Sequence, residues 1–500
     1  MKKNRSIILT ILSATLLSAC SKDFLDQKPT NAVTQDQAYA TADNVETVIN
    51  GTWAYMMETF FTYSVPGYTS IARASDAMGS DVAVTTKYGL RDAYTFVEMA
   101  DPTKNRVNAY WTILYKTIDN CNGIIANVDK ATGDESRKQR LKGQALALRA
   151  NSYLVLASFY QFGTIVDPNA KAVPIYTEPA TANTPGKPRA TIKQVYDQVI
   201  ADLLAAEPLL QGYQRDPGKK HKIDINVVEG LLARAYLQTQ NWSKAAEKAV
   251  LARAGYPLMS QDDYLKGFND VNNVEWIWGH AQTPNQSTAS YNFHFLDVSS
   301  PGSYYYSFMA DPFFKDFFTN GDVRTKLFQW DTLPSREGYL RYQKFRFRDQ
   351  QALIGDFVLM RTAEMYLIEA EGNARAGNTA AAVTSLNTLR QARGAYPYVQ
   401  GSGSLVDTIL VERRKELWGE GFSLSDIIRT NGTVVRKPFT SWNGGDSTIV
   451  IPNGAGGKRI RIRGHRTLKF PDGTAFKPQS PYYLFSIPVS EQQNNPNLNK

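Results

Sequence analysis

The sequence predicts a mainly α-helical fold of stacked helical hairpins, with long irregular loops and a few short β-strands. Two observations support this prediction. Helix-length segments with small residues three and four positions apart recur along the 500 residues, and the segments between them are rich in Gly, Pro, Asn and aromatic residues. A hydrophobic content of 43% with 21% charged residues is typical of a folded globular protein.

The clearest hairpin covers residues 226–254. Its first helix is predicted over 227–237 and is followed by a turn at 239–241. The second helix begins at Trp242 and carries small residues at helical spacing, Ala245, Ala246 and Ala249. Small residues at this spacing let antiparallel helices approach closely, while larger side chains, among them Trp242, fill the groove between them. This pattern is typical of a tetratricopeptide hairpin.

Further hairpins are indicated before and after this one. Residues 361–371 form a helical pattern that ends at the turn Gly377-Asn378, and residues 379–393 form the return helix. Three weaker helical patterns lie upstream, at 108–127, 137–162 and 191–210. About four stacked units of this kind bury a continuous core. The sequence therefore predicts a tetratricopeptide-like scaffold.

Three segments interrupt the helical pattern. Residues 167–188 are rich in Pro, Ala and Thr, residues 262–350 are dense in aromatic residues, Gly, Asn and Ser, and residues 432–480 combine Gly with short β-like runs. Long irregular excursions from a rigid scaffold are usually functional. We therefore expect the binding site in these segments.

The N-terminus has the form of an export signal. Basic residues precede an apolar run over 7–17, and the run ends in Leu17-Ser18-Ala19-Cys20 before a polar stretch. Eleven helical residues span about half of a lipid bilayer, so the run does not cross a membrane. Its ending resembles a bacterial lipobox, which implies cleavage before Cys20 and a diacylglycerol on its sulfur. The alternative is an ordinary signal peptide that happens to contain a cysteine.

Charge and cysteine usage exclude several classes of protein. The formal net charge is +9, and the three basic residues of the signal peptide account for part of it, which leaves about +6 without a basic block of five residues. A nucleic-acid partner is poorly supported by so weak a field. The densest basic stretch, 458–463, alternates charge with isoleucine and predicts a strand with one solvated face. With Cys20 acylated only Cys121 remains, so we expect no internal disulfide.

Motifs for catalysis are sparse in this sequence. Its four histidines lack metal-ligand spacing, and neither a Gly-x-Ser-x-Gly elbow nor a phosphate-binding loop occurs, so no metal or other cofactor is expected. A glycoside hydrolase would need two carboxylates flanking a cleft. Glu412, Glu416 and Glu420 form the obvious cluster, but arginines are interleaved on the same helix. We interpret the cluster as structural ion pairs.

Motifs in a fixed order across the whole mature chain resemble the SusD/RagB family, the surface glycan-binding lipoproteins of Bacteroidetes nutrient-uptake systems. No single motif is specific, but their order is. They are Phe24-Leu25-Asp26 with Pro29, Trp111, Tyr115, Ile118 and Cys121-Asn122, residues 231–237, residues 275–278, Asp322 with Arg324, residues 361–371, 386–390, 412–417, Glu420-Gly421, Asp426, and Ile487-Pro488 through Glu491 to residues 495–498.

The resemblance implies a binding protein and not an enzyme. Members of the family sit as a lid on a SusC-like TonB-dependent transporter, at the outer membrane and facing the exterior, and pass captured oligosaccharides to it. It also implies a signal peptide over 1–19 and one domain over 20–500. The N-terminal helical half would cover about 21–215, and the C-terminal half, about 270–500, would carry the aromatic-rich insertion. A surface glycoside hydrolase and a protein-docking scaffold without a ligand of its own stay open as alternatives.

Candidate ligand contacts follow from the chemistry of sugars. Sugars stack their apolar faces on flat aromatic rings, and their hydroxyls require polar partners nearby. The tyrosines at 304–306 follow Pro301-Gly302-Ser303 in a loop and cannot all be buried. Trp278 is equally compatible with a core position. The predicted ligand-binding residues are Tyr304, Tyr305, Tyr291, Trp278, Tyr63, Tyr68, Arg73 and Asp76.

Overall fold

The computed structural model describes residues 34–85, 89–285, 290–438, 448–451 and 457–500. Cys20 and the predicted signal peptide lie outside these residues. The α-helices of the described part are α1 Gln35–Ala38, α2 Ala42–Glu58, α3 Ser70–Ala77, α4 Arg91–Tyr94, α5 Asn105–Asn127, α6 Glu135–Tyr160, α7 Ile192–Leu210, α8 Ile225–Gln238, α9 Trp242–Ala252, α10 Gln261–Tyr264, α11 Tyr291–Leu296, α12 Thr362–Arg375, α13 Thr379–Ala392, α14 Leu405–Glu416, α15 Ser423–Arg429 and α16 Val489–Asn494.

The strands are short, as the sequence predicts. β3, β5, β7 and β6 form a four-stranded sheet in that order, β4 pairs with β8, and the two remaining pairs, β1 with β2 and β9 with β10, are hairpins. Their bounds are β1 Phe60–Thr62, β2 Val65–Pro66, β3 Val82–Val84, β4 Trp276–His280, β5 Phe308–Ala310, β6 Phe328–Trp330, β7 Leu340–Tyr342, β8 Phe357–Arg361, β9 Thr448–Ile451 and β10 Lys458–Arg461. In β10 the side chain of Ile460 is buried between exposed basic residues, which confirms the predicted alternation.

The helices stack in sequence order, and this confirms the predicted mainly helical fold. α5 packs on α6, α6 on α7, α7 on α8, and α8 on α9, while α2 covers α5. Capping residues account for several helix starts. The Asp134 side chain accepts the backbone N–H of Arg137 at the start of α6, and Thr191 forms a capping box with Gln194 at the start of α7. The predicted helix ends therefore agree with the observed ones within a few residues.

Small residues allow the two clearest hairpins to pack together. α9 lies against both α8 and α12, with Ala245 and Ala249 buried between them. A Cβ atom added to Gly372 of α12 would lie 2.6 Å from the backbone oxygen of Trp242. The ring of Trp242 itself is only half-buried and lies 4.9 Å from the guanidinium of Arg375. Trp242 therefore packs against the core as a partly buried ring, while small residues lie at the closest approach of α9 and α12.

The four-stranded sheet connects the aromatic-rich segment to the N-terminal half. β3 pairs with β5, with Val82 opposite Ala310 and Val84 opposite Phe308, and Ala310 of β5 in turn pairs with Leu340 of β7.

Cys121 is buried and free, and burial raises the pKa of its thiol to about 12. Within the described ranges, no helix has both the length and the apolar character needed to cross a membrane.

Candidate ligand-binding site

Three of the predicted ligand residues meet at the surface, although they come from two distant parts of the sequence. The ring centroid of Tyr291 lies 5.4 Å from that of Tyr63 and 6.4 Å from that of Tyr304. Tyr63 and Tyr304 are 60% and 56% exposed, and Tyr291 between them is half-buried. We call Tyr63, Tyr291 and Tyr304 the tyrosine platform.

A hairpin presents Tyr63. Phe60 pairs with Pro66, and Thr62 pairs with Val65, so that Tyr63 lies at the tip between β1 and β2. The ring of Phe60 supports the tip, because it lies 5.6 Å from Tyr63 and 5.2 Å from Tyr291. The hairpin thus holds one ring of the platform at a fixed distance from the next.

Gly67 allows the chain that leaves the hairpin to pass close to the end of α2 on its way to α3. Its φ is +73°, and an added Cβ would lie 2.2 Å from the backbone oxygen of Met57. Its N–H donates to the backbone oxygen of Thr59 at 2.8 Å. Because this conformation and this close approach both require glycine, Gly67 fixes the direction in which the hairpin leaves the scaffold.

Asn292 of α11 joins the hairpin to the aromatic-rich segment. Its side-chain amide donates to the backbone oxygen of Pro66 at 3.0 Å and to the hydroxyl of Thr69 at 2.7 Å. Asn292 is fully buried, so these bonds are shielded from water. They hold the neighbouring residue Tyr291 next to Tyr63.

His294 supports the third ring. Its imidazole stacks on Tyr304 with 4.3 Å between centroids, and its Nδ1 accepts the N–H of Tyr304 at 3.2 Å. Its backbone oxygen accepts the N–H groups of Tyr305 and Tyr306 and the hydroxyl of Ser303. Burial lowers the pKa of His294 to about 4, so the imidazole is neutral near pH 7. The stacked, neutral imidazole of His294 and the hydrogen-bonded turn that follows it hold Tyr304 in an outward orientation.

Two other predicted aromatic contacts are buried. Trp278 is 1% exposed, and its ring lies 5.6 Å from that of Trp53 while its N–H donates to the backbone oxygen of His221. Tyr305 is buried and stacks on Phe295 with 4.5 Å between centroids. Neither ring has a free face for a sugar, so both residues are core aromatics rather than stacking surfaces.

The remaining three candidates lie at or beside a partly open cavity. Tyr68 is half-buried and hydrogen-bonded to Asn151, whose amide donates to the tyrosine oxygen at 3.0 Å. Asp76 is buried and accepts the N–H groups of Gly421 and Ser423, which fastens α3 to the start of α15. Arg73 is buried and lines the cavity together with Tyr68. The eight predicted residues thus divide into a surface group, a core group and a group around the cavity.

The carboxylate cluster of α14 and the following turn is a buried ion network. Arg324 donates to Glu412 at 2.5 Å and to Glu416 at 2.8 Å. Arg361 donates to Glu416 at 2.7 Å and to Glu420 at 2.6 Å. All three glutamates are therefore paired, as the interpretation of structural ion pairs requires.

The network also fixes the protonation state of its carboxylates. Burial disfavours the charge of Glu412, but Arg324, Lys415 and Arg390 outweigh it and lower the pKa to about 2. Arg393, Arg361 and Arg324 likewise hold the pKa of Glu416 well below its usual value. A glycosidase acid needs a raised pKa and access to substrate, and these glutamates have neither.

Metal chemistry has no evident site in the parts of the chain that the structure describes. No group of three or more His, Cys, Asp or Glu side chains there is arranged to hold a metal ion.

Three residues that support the platform, Phe60, Asn292 and His294, were not predicted from the sequence to be functional. The density of aromatic residues around 291–306 was the available signal for His294, whereas nothing local marks Asn292 as the link to a hairpin 226 residues away.

A helical-hairpin scaffold that presents an exposed aromatic platform defines a ligand-binding protein. Two family models match the chain. The first, described as starch-binding and associating with the outer membrane, matches residues 23–237, and the second, described as the SusD family, matches residues 331–500.

Individual proteins agree with the family models. The structure superimposes with a TM-score of 0.86 on a SusD-like carbohydrate binding protein from Bacteroides vulgatus, with 44% sequence identity over 92% of this chain and 98% of that one. SusD-like protein P38 of Formosa agariphila is 22% identical over 87% of this chain and 93% of its own length. SusD-like protein P2 of the same organism is 26% identical, and the chain matches only half of its length.

The chain belongs to the SusD/RagB family. SusD family proteins are non-catalytic binding proteins that associate with the outer membrane, and the expectation of a protein that is not an enzyme is confirmed on that basis. The buried ion network agrees with this, because Glu412 and Glu416 are buried and paired with arginines.

Proposed function

We propose that this protein is a surface lipoprotein, anchored through a lipid on Cys20, that captures oligosaccharides on the tyrosine platform and delivers them to a SusC-like TonB-dependent transporter. The observation that carries the proposal is the convergence of Tyr63, Tyr291 and Tyr304 at one exposed place. The carbohydrate-binding relative at 44% identity supports the ligand class. Membership of the SusD/RagB family supports the partner.

The shape of the platform suits an extended glycan. Neighbouring centroids are 5.4 and 6.4 Å apart, and the planes of Tyr291 and Tyr304 are inclined by 33°. Such a surface offers successive rings to the apolar faces of successive sugar units rather than a closed pocket for one unit. The two exposed rings at its ends, Tyr63 and Tyr304, are expected to contribute most of the stacking.

A glycan-array screen of the chain without residues 1–20 identifies a ligand, and calorimetry then compares variants. The double variant Tyr63→Ala/Tyr304→Ala is expected to bind the identified oligosaccharide at least about tenfold more weakly, because each lost ring contact is worth about 1 kcal/mol. Tyr396→Ala is the matched control, since Tyr396 is 59% exposed but lies outside the platform.

The possible results separate the classes of function. Equal affinity of the double variant and the wild type would contradict the platform as the binding site. Release of reducing sugar by the wild type would indicate a glycoside hydrolase. Absence of binding to every glycan on the array would favour a docking scaffold without a ligand of its own.

A further inference from the structure

A partly open cavity lies where the helical stack meets the C-terminal segments. It has a volume of about 150 Å³, and its walls come from α3, α6, α8, α11, β8, α12, α14, the turn 419–422 and α15. Apolar side chains make up most of the wall, among them Leu154, Phe159, Leu237, Phe357 and Ile368. An apolar protein cavity of about this volume accommodates a molecule the size of a benzene ring.

The cavity is distinct from the tyrosine platform. α11 lies between the two, because its residue Tyr291 belongs to the platform while Phe293 and Leu296 line the cavity. An oligosaccharide does not fit a space of 150 Å³.

Arg73 is the unusual residue of the cavity wall. Only 6% of the residue is exposed, and its buried Nε has no hydrogen-bond partner. Its guanidinium forms no ion pair with any residue that the structure describes. A guanidinium carries five N–H donors, and buried polar groups in native proteins are nearly always satisfied. An unpaired buried charge is costly to keep. A ligand that accepts these donors would remove that cost.

The other charged groups of the wall already have partners. Arg234 pairs with Glu364 at 2.7 Å, and Asp356 pairs with Arg348 at 3.0 Å. The remaining ion pairs of the wall are Glu420 with Arg361 and Lys344, Asp426 with Arg413 and Arg429, and Arg429 with Glu371. Among the described residues, Arg73 is therefore the wall's one charged side chain without an ion-pair partner.

Two nearby carboxylates do not take this role. Asp76 and Glu420 attract Arg73 electrostatically, but neither has an oxygen within 4.0 Å of its nitrogens. Asp76 instead accepts two backbone N–H groups, and Glu420 is held by Arg361 and Lys344. Burial lowers the pKa of Arg73 despite both carboxylates. Arg73 lines the cavity, so its guanidinium is available to a ligand there.

We propose that this cavity binds a small organic anion, whose carboxylate accepts hydrogen bonds from Arg73 and whose apolar body packs against the surrounding Leu, Ile and Phe side chains. A carboxylate matches the forked donor geometry of an arginine. The hydroxyl of Tyr68 and the amide of Asn151 provide further polar groups on the same wall. The ligand is of the size of benzoate.

The test compares benzoate with benzamide on the full-length chain in mild detergent. At about 10 mM and constant ionic strength, benzoate is expected to raise the melting temperature by about 2 °C or more, because it binds only the folded state. Benzamide has the same shape without the charge and is expected to have no effect. Arg73→Met is expected to abolish the shift.

Two control variants make the comparison specific. Arg91→Met removes an exposed arginine and leaves the benzoate shift unchanged if the effect depends on the cavity. Tyr304→Ala also leaves it unchanged, which separates the cavity from the proposed glycan site. No shift with benzoate, or an equal shift with benzamide, would overturn the proposal.

A crystal soaked with 4-bromobenzoate gives an answer even if Arg73→Met does not fold. The anomalous signal of bromine is expected inside the cavity, with the carboxylate at hydrogen-bond distance from the guanidinium of Arg73. A cavity that contains only water, with the bromine signal elsewhere or absent, would overturn the proposal.

Discussion

Arg361 donates from its guanidinium to Glu416 at 2.7 Å, and both side chains are fully buried. Arg324 and Arg393 contact the same carboxylate at 2.8 and 2.9 Å. One glutamate therefore joins the segment before α12 to the end of α13 and to the turn before β6. Three buried guanidinium groups share the carboxylate of Glu416 in a region without access to water.

Replacement of Glu416 by Gln is expected to destabilise the protein strongly. The substitution keeps the shape but removes a carboxylate that three buried guanidinium groups share. Each arginine retains another carboxylate partner, but removal of one partner from a buried ion pair costs about 3–5 kcal/mol. Chemical denaturation measures this change in the free energy of unfolding. Asp197→Asn is the control, because its pair with Lys193 is exposed. Equal stability of the two variants would mean that the ion network contributes little to the free energy of unfolding.

A pair of glycine substitutions tests the packing of the helices. Gly372→Ala introduces a Cβ 2.6 Å from the oxygen of Trp242 and 3.1 Å from the Cβ of Ala246, and we expect a loss of about 1–3 kcal/mol in unfolding free energy. A Cβ added at Gly51, on helix α2, would have no atom within 4 Å. Gly51→Ala is therefore expected to gain up to about 1 kcal/mol in unfolding free energy from the higher helix propensity of alanine. Denaturant titrations of both variants measure the difference. A gain in unfolding free energy in both variants would contradict the close approach of α9 and α12.

The helical scaffold could be predicted from the sequence because its signals are local. The capping pair Thr191 and Gln194 and the turn at Gly377 mark helix ends without reference to the rest of the chain. The sequence could not show that Trp242 is only partly buried, because its burial depends on how closely two non-adjacent helices approach, and Gly372, 130 residues further on, lies at that contact.

The sequence indicated candidate residues of the site but not their arrangement. Tyr304 was predicted to be a loop aromatic, and it is exposed in the structure, as is Tyr63. Their convergence depends on hydrogen bonds from Asn292 that have no sequence signature. The sequence left Trp278 equally compatible with a core position, because its contact with the distant Trp53 has no local signal.

The pKa of His294 predicts a pH dependence of stability. Burial lowers this pKa from 6.5 to about 4 in the folded protein, so the contribution of the neutral ring is fully present above pH 6.5 and is lost as the pH falls towards 4. His294→Asn keeps an acceptor near the N–H of Tyr304 but cannot ionise. Between pH 6.5 and 4, the wild type is expected to lose about 2 kcal/mol more unfolding free energy than this variant.

Denaturation curves at both pH values measure that difference, and subtraction of the variant removes the effect of the other histidines. His221 also has its pKa lowered to about 4 by burial, so the total pH dependence alone is not diagnostic. Parallel pH profiles of wild type and variant would show that His294 does not support the turn through its neutral form.

Replacement of Cys20 by Ala tests the lipid anchor. The thiol of Cys20 is the only group that the proposed signal leaves for acylation, so the variant is expected to leave the membrane fraction. Fractionation of cells followed by a high-salt wash measures the distribution. Cys121→Ala is a suitable control, because Cys121 is buried within the fold and its loss does not affect lipidation. Full retention of Cys20→Ala in the membrane would contradict the lipobox.

The proposed partnership with a transporter predicts a stable complex. A lid that docked only briefly would release its ligand to the medium, so we expect a large and persistent interface of more than about 2,000 Å². A SusC-like TonB-dependent protein is therefore expected to co-purify with this chain from outer membranes in mild detergent, in comparable amounts. The Tyr63→Ala/Tyr304→Ala variant is expected to retain the transporter while it loses the glycan, because the platform is proposed to bind the ligand and not the transporter. Recovery of this protein alone, from membranes in which the transporter is present, would favour a free-standing binding protein.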